Sequence, residues 1–139
     1  MRFGERLRAA TVLKRRGWRP RTVFDIGVAF GTYELYREFP GAFYYLVDPT
    51  SESLHYMKRL SRQLDCEVLN VALSNRDGEM DIEVRADILG STFYEEVGPH
   101  EVLRHEKVAV HRFDTLIGTF ERPALATIKG GPGFYDLTA

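Results

Sequence analysis

The sequence predicts an α/β domain built on a mostly parallel central sheet. Three short apolar runs, at residues 22–26, 43–47 and 67–73, have the length and composition of buried strands. Residues 32–38 and 50–64, which lie between these runs, read as helices, the second with an apolar stripe at helical spacing. An alternation of strand and helix is typical of parallel strands joined by right-handed crossovers.

A basic N-terminal helix is predicted over residues 1–20, ahead of a main domain at residues 21–139. Residues 1–22 hold eight Lys or Arg and one acid, whereas residues 23–139 hold eleven bases against nineteen acids. Such a start is compatible with an organellar transit peptide or with a helix on a membrane surface. We favour a helix docked on the domain, because apolar residues recur at helical spacing: Phe3, Leu7, Ala10 and Leu13.

In the second half of the chain, the sequence pattern predicts strands that are more exposed than those of the first half. Apolar and charged residues alternate over residues 80–84, after a turn at residues 75–78, which predicts a half-exposed antiparallel strand. Residues 88–106 have no clear period and predict a loop with a helical turn. Residues 108–113 predict another exposed strand, and residues 124–128 a further buried one.

Composition and charge exclude several classes of protein. The chain of 139 residues is 44% hydrophobic and 28% charged, which is typical of a globular domain and not of a disordered segment. A net charge of −1 argues against a dedicated nucleic-acid binder. The longest apolar run, residues 42–47, is far too short to span a membrane. With a single cysteine, Cys66, the chain can form no internal disulfide, and we expect it in the cytoplasm.

The most informative segment is the glycine-bearing turn between the first strand and the helix that follows it. Asp25 is the second-last residue of the strand, and Gly27 and Gly31 lie in the turn. Glycine allows a sharp turn and lets a ligand approach the backbone closely. The next helix adds unpaired N–H groups, so the turn suits a nucleotide-like ligand at the carboxyl edge of the sheet.

A second acid, Asp48, ends the second predicted strand. In α/β nucleotide-binding folds an acid at this place accepts hydrogen bonds from the ribose hydroxyls. The alternative is a helix cap, since Asp before Pro is common at the start of a helix. We favour the ligand, because the spacing of Asp48 from Gly31 is the one such folds use.

The charge and spacing of the turn favour one class of nucleotide. A pyrophosphate-bearing dinucleotide prefers glycines two and three residues apart, whereas Gly27 and Gly31 are four apart. A carboxylate at Asp25 would repel a pyrophosphate and suits a ligand with an ammonium or sulfonium charge. S-adenosylmethionine has both charges, a ribose and no phosphate, so the sequence predicts this cofactor.

Several segments resemble the FkbM family of S-adenosylmethionine-dependent methyltransferases. The stretch F-D-I-G-V-A-F-G-T-Y-E-L-Y-R-E-F-P, at residues 24–40, is similar to the family's first motif. L-V-D-P at residues 46–49 resembles its second-strand motif, and N-V-A-L-S at residues 70–74 its third. Residues 91–92 fall where the family has a Ser-Ser pair, and residues 108–116 are similar to a later family segment.

This resemblance implies a Rossmann-like methyltransferase fold, a three-layer sandwich with a mostly parallel sheet. It also implies methyl transfer to a small-molecule acceptor, commonly a hydroxyl of a sugar or of a polyketide-type natural product. Asn70 and Ala72 would lie near the adenine. The cofactor-binding positions that the resemblance implies are Asp25, Gly27, Val28, Gly31, Thr32, Asp48, Asn70 and Ala72.

The sequence departs from the family after the fourth predicted strand. The family continues this strand as L-K-x-D, whereas here Lys129 is followed by two glycines. We therefore expect an incomplete domain at residues 21–139, truncated at its C-terminus and lacking the last strands. An unpaired fourth strand would expose an apolar edge, through which the chain would form a homo-oligomer.

Two alternative functions remain open. The first is a non-catalytic remnant that binds a partner through the exposed edge. The second is a nicotinamide-dependent oxidoreductase, which the spacing of the glycines disfavours.

No residue of the sequence is assigned as catalytic. The candidate bases for deprotonating a hydroxyl are His100, His105, His111 and Asp114, each of which is also typical of an ordinary surface position. The four histidines and one cysteine have no metal-ligand spacing, so no metal site is predicted.

Overall fold

The computed structural model of the protein describes residues 10–85, 102–128 and 134–136. The strands of this part of the chain are β1 (Thr22–Ile26), β2 (Phe43–Val47), β3 (Cys66–Leu69), β4 (Ala72–Leu73), β5 (Gly78–Arg85), β6 (Val102–His111), β7 (Ala124–Ile128) and β8 (Phe134–Asp136). The helices are α1, described over residues 10–15, α2 (Tyr33–Glu38), α3 (Ser51–Leu60) and α4 (Phe113–Leu116).

The central sheet has five strands in the order β3-β2-β1-β7-β8. Strands β3, β2, β1 and β7 are parallel, and β8 is antiparallel to β7. In the register, Ile26 at the end of β1 faces Val47 of β2 and Ile128 of β7. The predicted α/β class with a mostly parallel sheet is confirmed, and the ends of three strands meet at one edge.

Both faces of this sheet are covered, because its central strands are apolar on both sides. Helices α1 to α3 pack on one face, around Val23, Tyr44 and Leu125. Ala10 of α1 is completely buried in that cluster, and residues 1–9 of the predicted N-terminal helix lie outside the described residues. On the other face, Phe24 stacks on Tyr45 and packs with α4 and its adjoining loop.

The predicted strand at residues 67–73 is wrong in its length, because the chain leaves the central sheet at Asn70. The Asn70 amide donates hydrogen bonds to the backbone oxygens of Asp48 (2.8 Å) and Thr50 (3.0 Å). Strand β3 ends before this residue, and β4 begins after it in a second sheet. An apolar run in the sequence does not reveal that a side chain in its middle is bonded to a neighbouring loop.

The second sheet has three strands in the order β4-β6-β5. Strand β5 is antiparallel to β6, as predicted for residues 80–84. The expected loop is wrong for residues 102–106, which belong to β6, and residues 86–101 lie outside the described chain. The strand predicted over residues 108–113 ends at His111, and Phe113 begins α4 so that its ring packs on Phe24.

The expectation that the fourth parallel strand has an open edge is wrong. Strand β8 pairs with β7 at Leu125, Ala126 and Thr127. A chain that turns back on itself supplies the missing hydrogen-bond partners, which removes the reason given above for a homo-oligomer. Within the described ranges, no helix is long and apolar enough to cross a membrane.

Candidate functional site

The turn between β1 and α2, residues 27–31, alternates between ordinary and left-handed backbone. Gly27, Ala29 and Gly31 have φ angles of 80°, 51° and 118°. A Cβ atom at Gly31 would lie 2.9 Å from Cε2 of Tyr33, so this exposed ring would have to move. Position 31 therefore favours glycine mainly for its backbone angle.

Asp25 lies beneath this turn and is fully buried. Its Oδ2 accepts a hydrogen bond from the Tyr36 hydroxyl (2.6 Å), and its Oδ1 accepts one from the Thr32 hydroxyl (3.2 Å). Burial, and then the charge of Asp25, raises the pKa of the Tyr36 phenol far above its ordinary value. The phenol therefore keeps its proton and donates it to the Asp25 carboxylate.

Asp48 lies at the end of β2 and is 6% exposed. Its Oδ2 accepts from the backbone N–H of Ala29 (2.9 Å), in the turn after the neighbouring strand. Its Oδ1 accepts from the N–H and the hydroxyl of Thr50, both at 3.1 Å. A carboxylate has about four acceptor positions, so Asp48 has room for roughly one further hydrogen bond.

The contact between Asp48 and Ala29 explains an unusual backbone conformation. Left-handed backbone is unfavourable for a residue with a side chain, by roughly 1–2 kcal/mol. The hydrogen bond from Ala29 to a buried carboxylate offsets this cost and holds the turn against the end of β2. Strained backbone that is fixed by its surroundings is frequent in binding sites.

A cavity of about 340 Å³ lies at the carboxyl edge of the central sheet, in the lower part of the size range of ligand pockets, roughly 300–1,000 Å³. Its wall is mostly apolar side chains, with one glycine. The residues that line it are Ile26, Gly27, Val47, Pro49, Val71, Ala72, Leu73 and Ile128. It lies where ligands bind in open α/β sheets.

The structure divides the predicted cofactor residues into three groups. Gly27 and Ala72 line the cavity. Asp48 lies between two lining residues, and Asn70 is bonded to its carbonyl oxygen. The others form and support the turn and are not among the lining residues: Asp25, Val28, Gly31 and Thr32.

None of the described candidate bases lines the cavity. His105 is exposed on β6, where it faces Glu83 across the hairpin. His111 lies 3.5 Å from Asp77, and the Asp114 carboxylate pairs with Arg112 at 3.0 Å on the surface. His100 lies outside the described residues. In the described part of the chain, no three His, Cys, Asp or Glu side chains form a metal-binding group.

The second sheet is held next to the start of α3 by polar contacts that the sequence analysis missed. Arg104 of β6 donates to Glu52 (2.7 Å) and to Glu106 (3.1 Å). Ser51 hydrogen-bonds to Glu106. The hairpin that carries Arg104 is thus joined to the helix that follows Asp48 and Thr50.

Tyr36 was also missed, although it is the main partner of Asp25. The sequence does contain a signal, because Thr32 and Tyr36 are four residues apart and so lie on one face of a helix. That face can turn toward the end of the preceding strand, where Asp25 is located. An acid just before a glycine turn, with a tyrosine eleven residues later, is the pattern to look for.

No protein-family model, curated protein or solved structure matches this chain. The comparisons identify no family. The similarity to FkbM methyltransferases therefore depends on the motifs quoted above.

Proposed function

We propose that the chain is the cofactor-binding domain of an S-adenosylmethionine-dependent methyltransferase similar to the FkbM family. The observation that carries the proposal is the hydrogen bond from Ala29 to Asp48, which joins the glycine turn after β1 to the acid after β2. Asp48 lies between two residues that line the cavity at the carboxyl edge, Val47 and Pro49, and Ala29 lies two residues after a third, Gly27. The acceptor proposed is a small molecule with a hydroxyl group, a saccharide or a polyketide-type product.

The residues at the cavity fit this cofactor. Apolar side chains, including Leu73 and Val71, suit a flat adenine, and Gly27 lets a ligand approach the backbone. Asp48 has room for about one hydrogen bond from a ribose hydroxyl. The negative charge of Asp25 favours a cationic ligand at the turn over a pyrophosphate.

When bound, S-adenosylmethionine supplies an activated methyl group. What these residues contribute is binding and orientation, which can provide much of the acceleration in a displacement reaction. The proposed location is the cytoplasm, because the chain has only one cysteine.

The partner-binding alternative loses one of the features that favoured it, the unpaired edge of the fourth parallel strand, because β8 pairs with that strand. The nicotinamide alternative requires glycines in a spacing that residues 27 and 31 do not have.

Calorimetric titration with S-adenosylhomocysteine tests the proposal, with NAD as the control ligand. We expect saturable binding of S-adenosylhomocysteine and no heat of binding with NAD. A folded sample that binds neither, or binds NAD alone, would contradict the assignment of the cofactor.

The variant Asp48→Ala tests the residue on which the proposal depends. Removing the carboxylate leaves the Ala29 N–H and a ribose hydroxyl without their partner, which should weaken binding by roughly 1–3 kcal/mol. Asp114→Ala is the matched control, because Asp114 is an exposed acid that does not line the cavity. Equal affinity in both variants would remove Asp48 from the site.

A further inference from the structure

The hydrogen bonds at the start of α2 differ from the usual arrangement of a helix. Thr32 is the N-cap residue, but its side chain makes no capping bond, and its hydroxyl donates to Asp25. The Thr32 N–H donates to the hydroxyl of Tyr36, one turn further along the helix (2.9 Å). Tyr36 therefore accepts a hydrogen bond from one of the backbone N–H groups at the helix start, which have no partner within the helix itself.

The same hydroxyl donates to Asp25 at 2.6 Å. One phenol therefore joins the end of β1 to Thr32, the first residue after the glycine turn. Asp25, Thr32 and Tyr36 thus fix the two ends of residues 27–31 relative to each other, and none of the three lines the cavity. Asp48 fixes the middle of the turn, at Ala29.

We infer that Tyr36 is a positioning residue, whose hydroxyl holds the glycine turn in the shape that accepts the ligand without touching the ligand itself. The identity of the ligand in this inference rests on the proposed function. The hydrogen bonds themselves do not, because Asp25, Thr32 and Tyr36 are bonded to one another whatever the cavity binds. When the turn is already in its binding shape, less of the free energy of binding is spent on ordering the turn.

Tyr44 provides a matched control within the same core. Both tyrosine side chains are buried in one cluster, with ring centroids 5.3 Å apart. The Tyr44 hydroxyl, however, lies within hydrogen-bond distance of the carbonyl oxygens of Phe39 (2.7 Å) and Leu35 (3.2 Å), toward the end of α2. Tyr36→Phe and Tyr44→Phe each remove one buried hydroxyl, but only the first releases the turn.

The first measurement is amide hydrogen exchange at Thr32 by NMR, without ligand. The exchange rate is divided by that of Phe24 in the central strand, whose amide reports the global stability of each variant. In Tyr36→Phe we expect this ratio to rise by about tenfold or more, since the Thr32 amide loses its partner and opens locally. In Tyr44→Phe the ratio should not rise, because any loss of global stability increases only the Phe24 rate, and equal ratios in the two variants would overturn the inference.

The second measurement is titration of both variants with S-adenosylhomocysteine. We expect Tyr36→Phe to bind about tenfold more weakly than Tyr44→Phe. Binding by the original chain with equal affinity in both variants would overturn the positioning role and leave the proposed function intact. If the original chain does not bind, the proposed function fails, and the exchange ratio alone decides the role of Tyr36.

A milder variant covers the case in which Tyr36→Phe does not fold. Asp25→Asn keeps the size of the side chain and an acceptor for the phenol, but replaces a charged acceptor with a neutral one. The exchange ratio at Thr32 should again rise, by less than in Tyr36→Phe. An unchanged ratio in a folded Asp25→Asn protein would contradict the proposed link between Asp25, Tyr36 and the turn.

Discussion

The two sheets of the protein use similar polar contacts in opposite surroundings. Beneath the glycine turn, Asp25 is fully buried and bonded to Tyr36 at 2.6 Å. On the hairpin, Arg104 contacts Glu52 at 2.7 Å, with both side chains partly exposed to water. The distances are nearly equal, so burial decides the free energy that each contact contributes, because water replaces a lost partner only where it can reach.

This difference in burial separates polar residues whose loss strongly destabilises the fold from those whose loss has little effect. A buried polar network must be complete, since each member left without a partner costs free energy. An exposed pair can be broken and replaced by water at little cost. The turn beside the cavity belongs to the first kind, and the junction between hairpin and helix to the second.

Asp25→Ala should have the largest effect. The hydroxyls of Tyr36 and Thr32 would both lose an acceptor in the interior, which predicts a loss of about 2–4 kcal/mol in the free energy of unfolding. Urea denaturation measures this loss. The control is Asp77→Ala, whose carboxylate also accepts two close hydrogen bonds, from Thr115 and Arg112, but on the surface. Equal losses of stability in the two variants would contradict the view that burial decides how much each contact contributes.

Glu52→Gln should have a much smaller effect. The exposed pair with Arg104 predicts a loss below about 1 kcal/mol, which decreases further as salt screens the charges. Urea denaturation at low and at high salt measures the loss of stability and its dependence on salt. A loss as large as that of Asp25→Ala would show that the hairpin junction is as important as the buried network.

The same pair predicts a dependence of stability on pH. The hydrogen bond from Arg104 lowers the pKa of Glu52 below its ordinary value. A carboxyl whose pKa is lower in the folded state stabilises the protein above its unfolded pKa, about 4.3, and this contribution is lost as the pH falls through the folded pKa. Over that acidic range, the stability difference between the original chain and Glu52→Gln should shrink, and a constant difference would count against the pair.

Ala29→Gly should have the smallest effect on stability. This variant tests whether the Ala29 side chain itself contributes to the stability of the turn. Glycine removes the cost of left-handed backbone, roughly 1 kcal/mol, but adds a similar entropic cost, about 0.5–1 kcal/mol. We expect a change of no more than about 0.5 kcal/mol in thermal or urea unfolding. A large loss would mean that the Ala29 methyl group itself packs in the site.

The parallel core could be predicted from the sequence because burial on both faces leaves a local pattern. Strands β1, β2 and β7 begin and end at the predicted residues, since each is a short apolar run with a clear boundary. The break at Asn70 and the strand at residues 102–106 could not be predicted. Both depend on contacts between segments distant in the sequence.

The candidate site, like the fold, could be predicted from the sequence only in part. The turn and Asp48 were located by their spacing, because consecutive parallel strands end at the same edge of a sheet. The ligand, by contrast, stays a prediction based on charge and resemblance. Tyr36 was missed, since its relation to Asp25 exists only once α2 folds back against β1.

The position of β1 in the sheet has a consequence for the synthesis of the chain. Thr22 pairs with Phe43 on one side but with Ala124 on the other. A ribosome adds roughly 5–20 residues per second, so β1 and β2 can pair seconds before β7 is made. Throughout that interval the second edge of β1 is apolar and unpaired, which invites aggregation. We therefore expect the yield of folded chain to respond to growth temperature and to chaperones that shield unpaired strands.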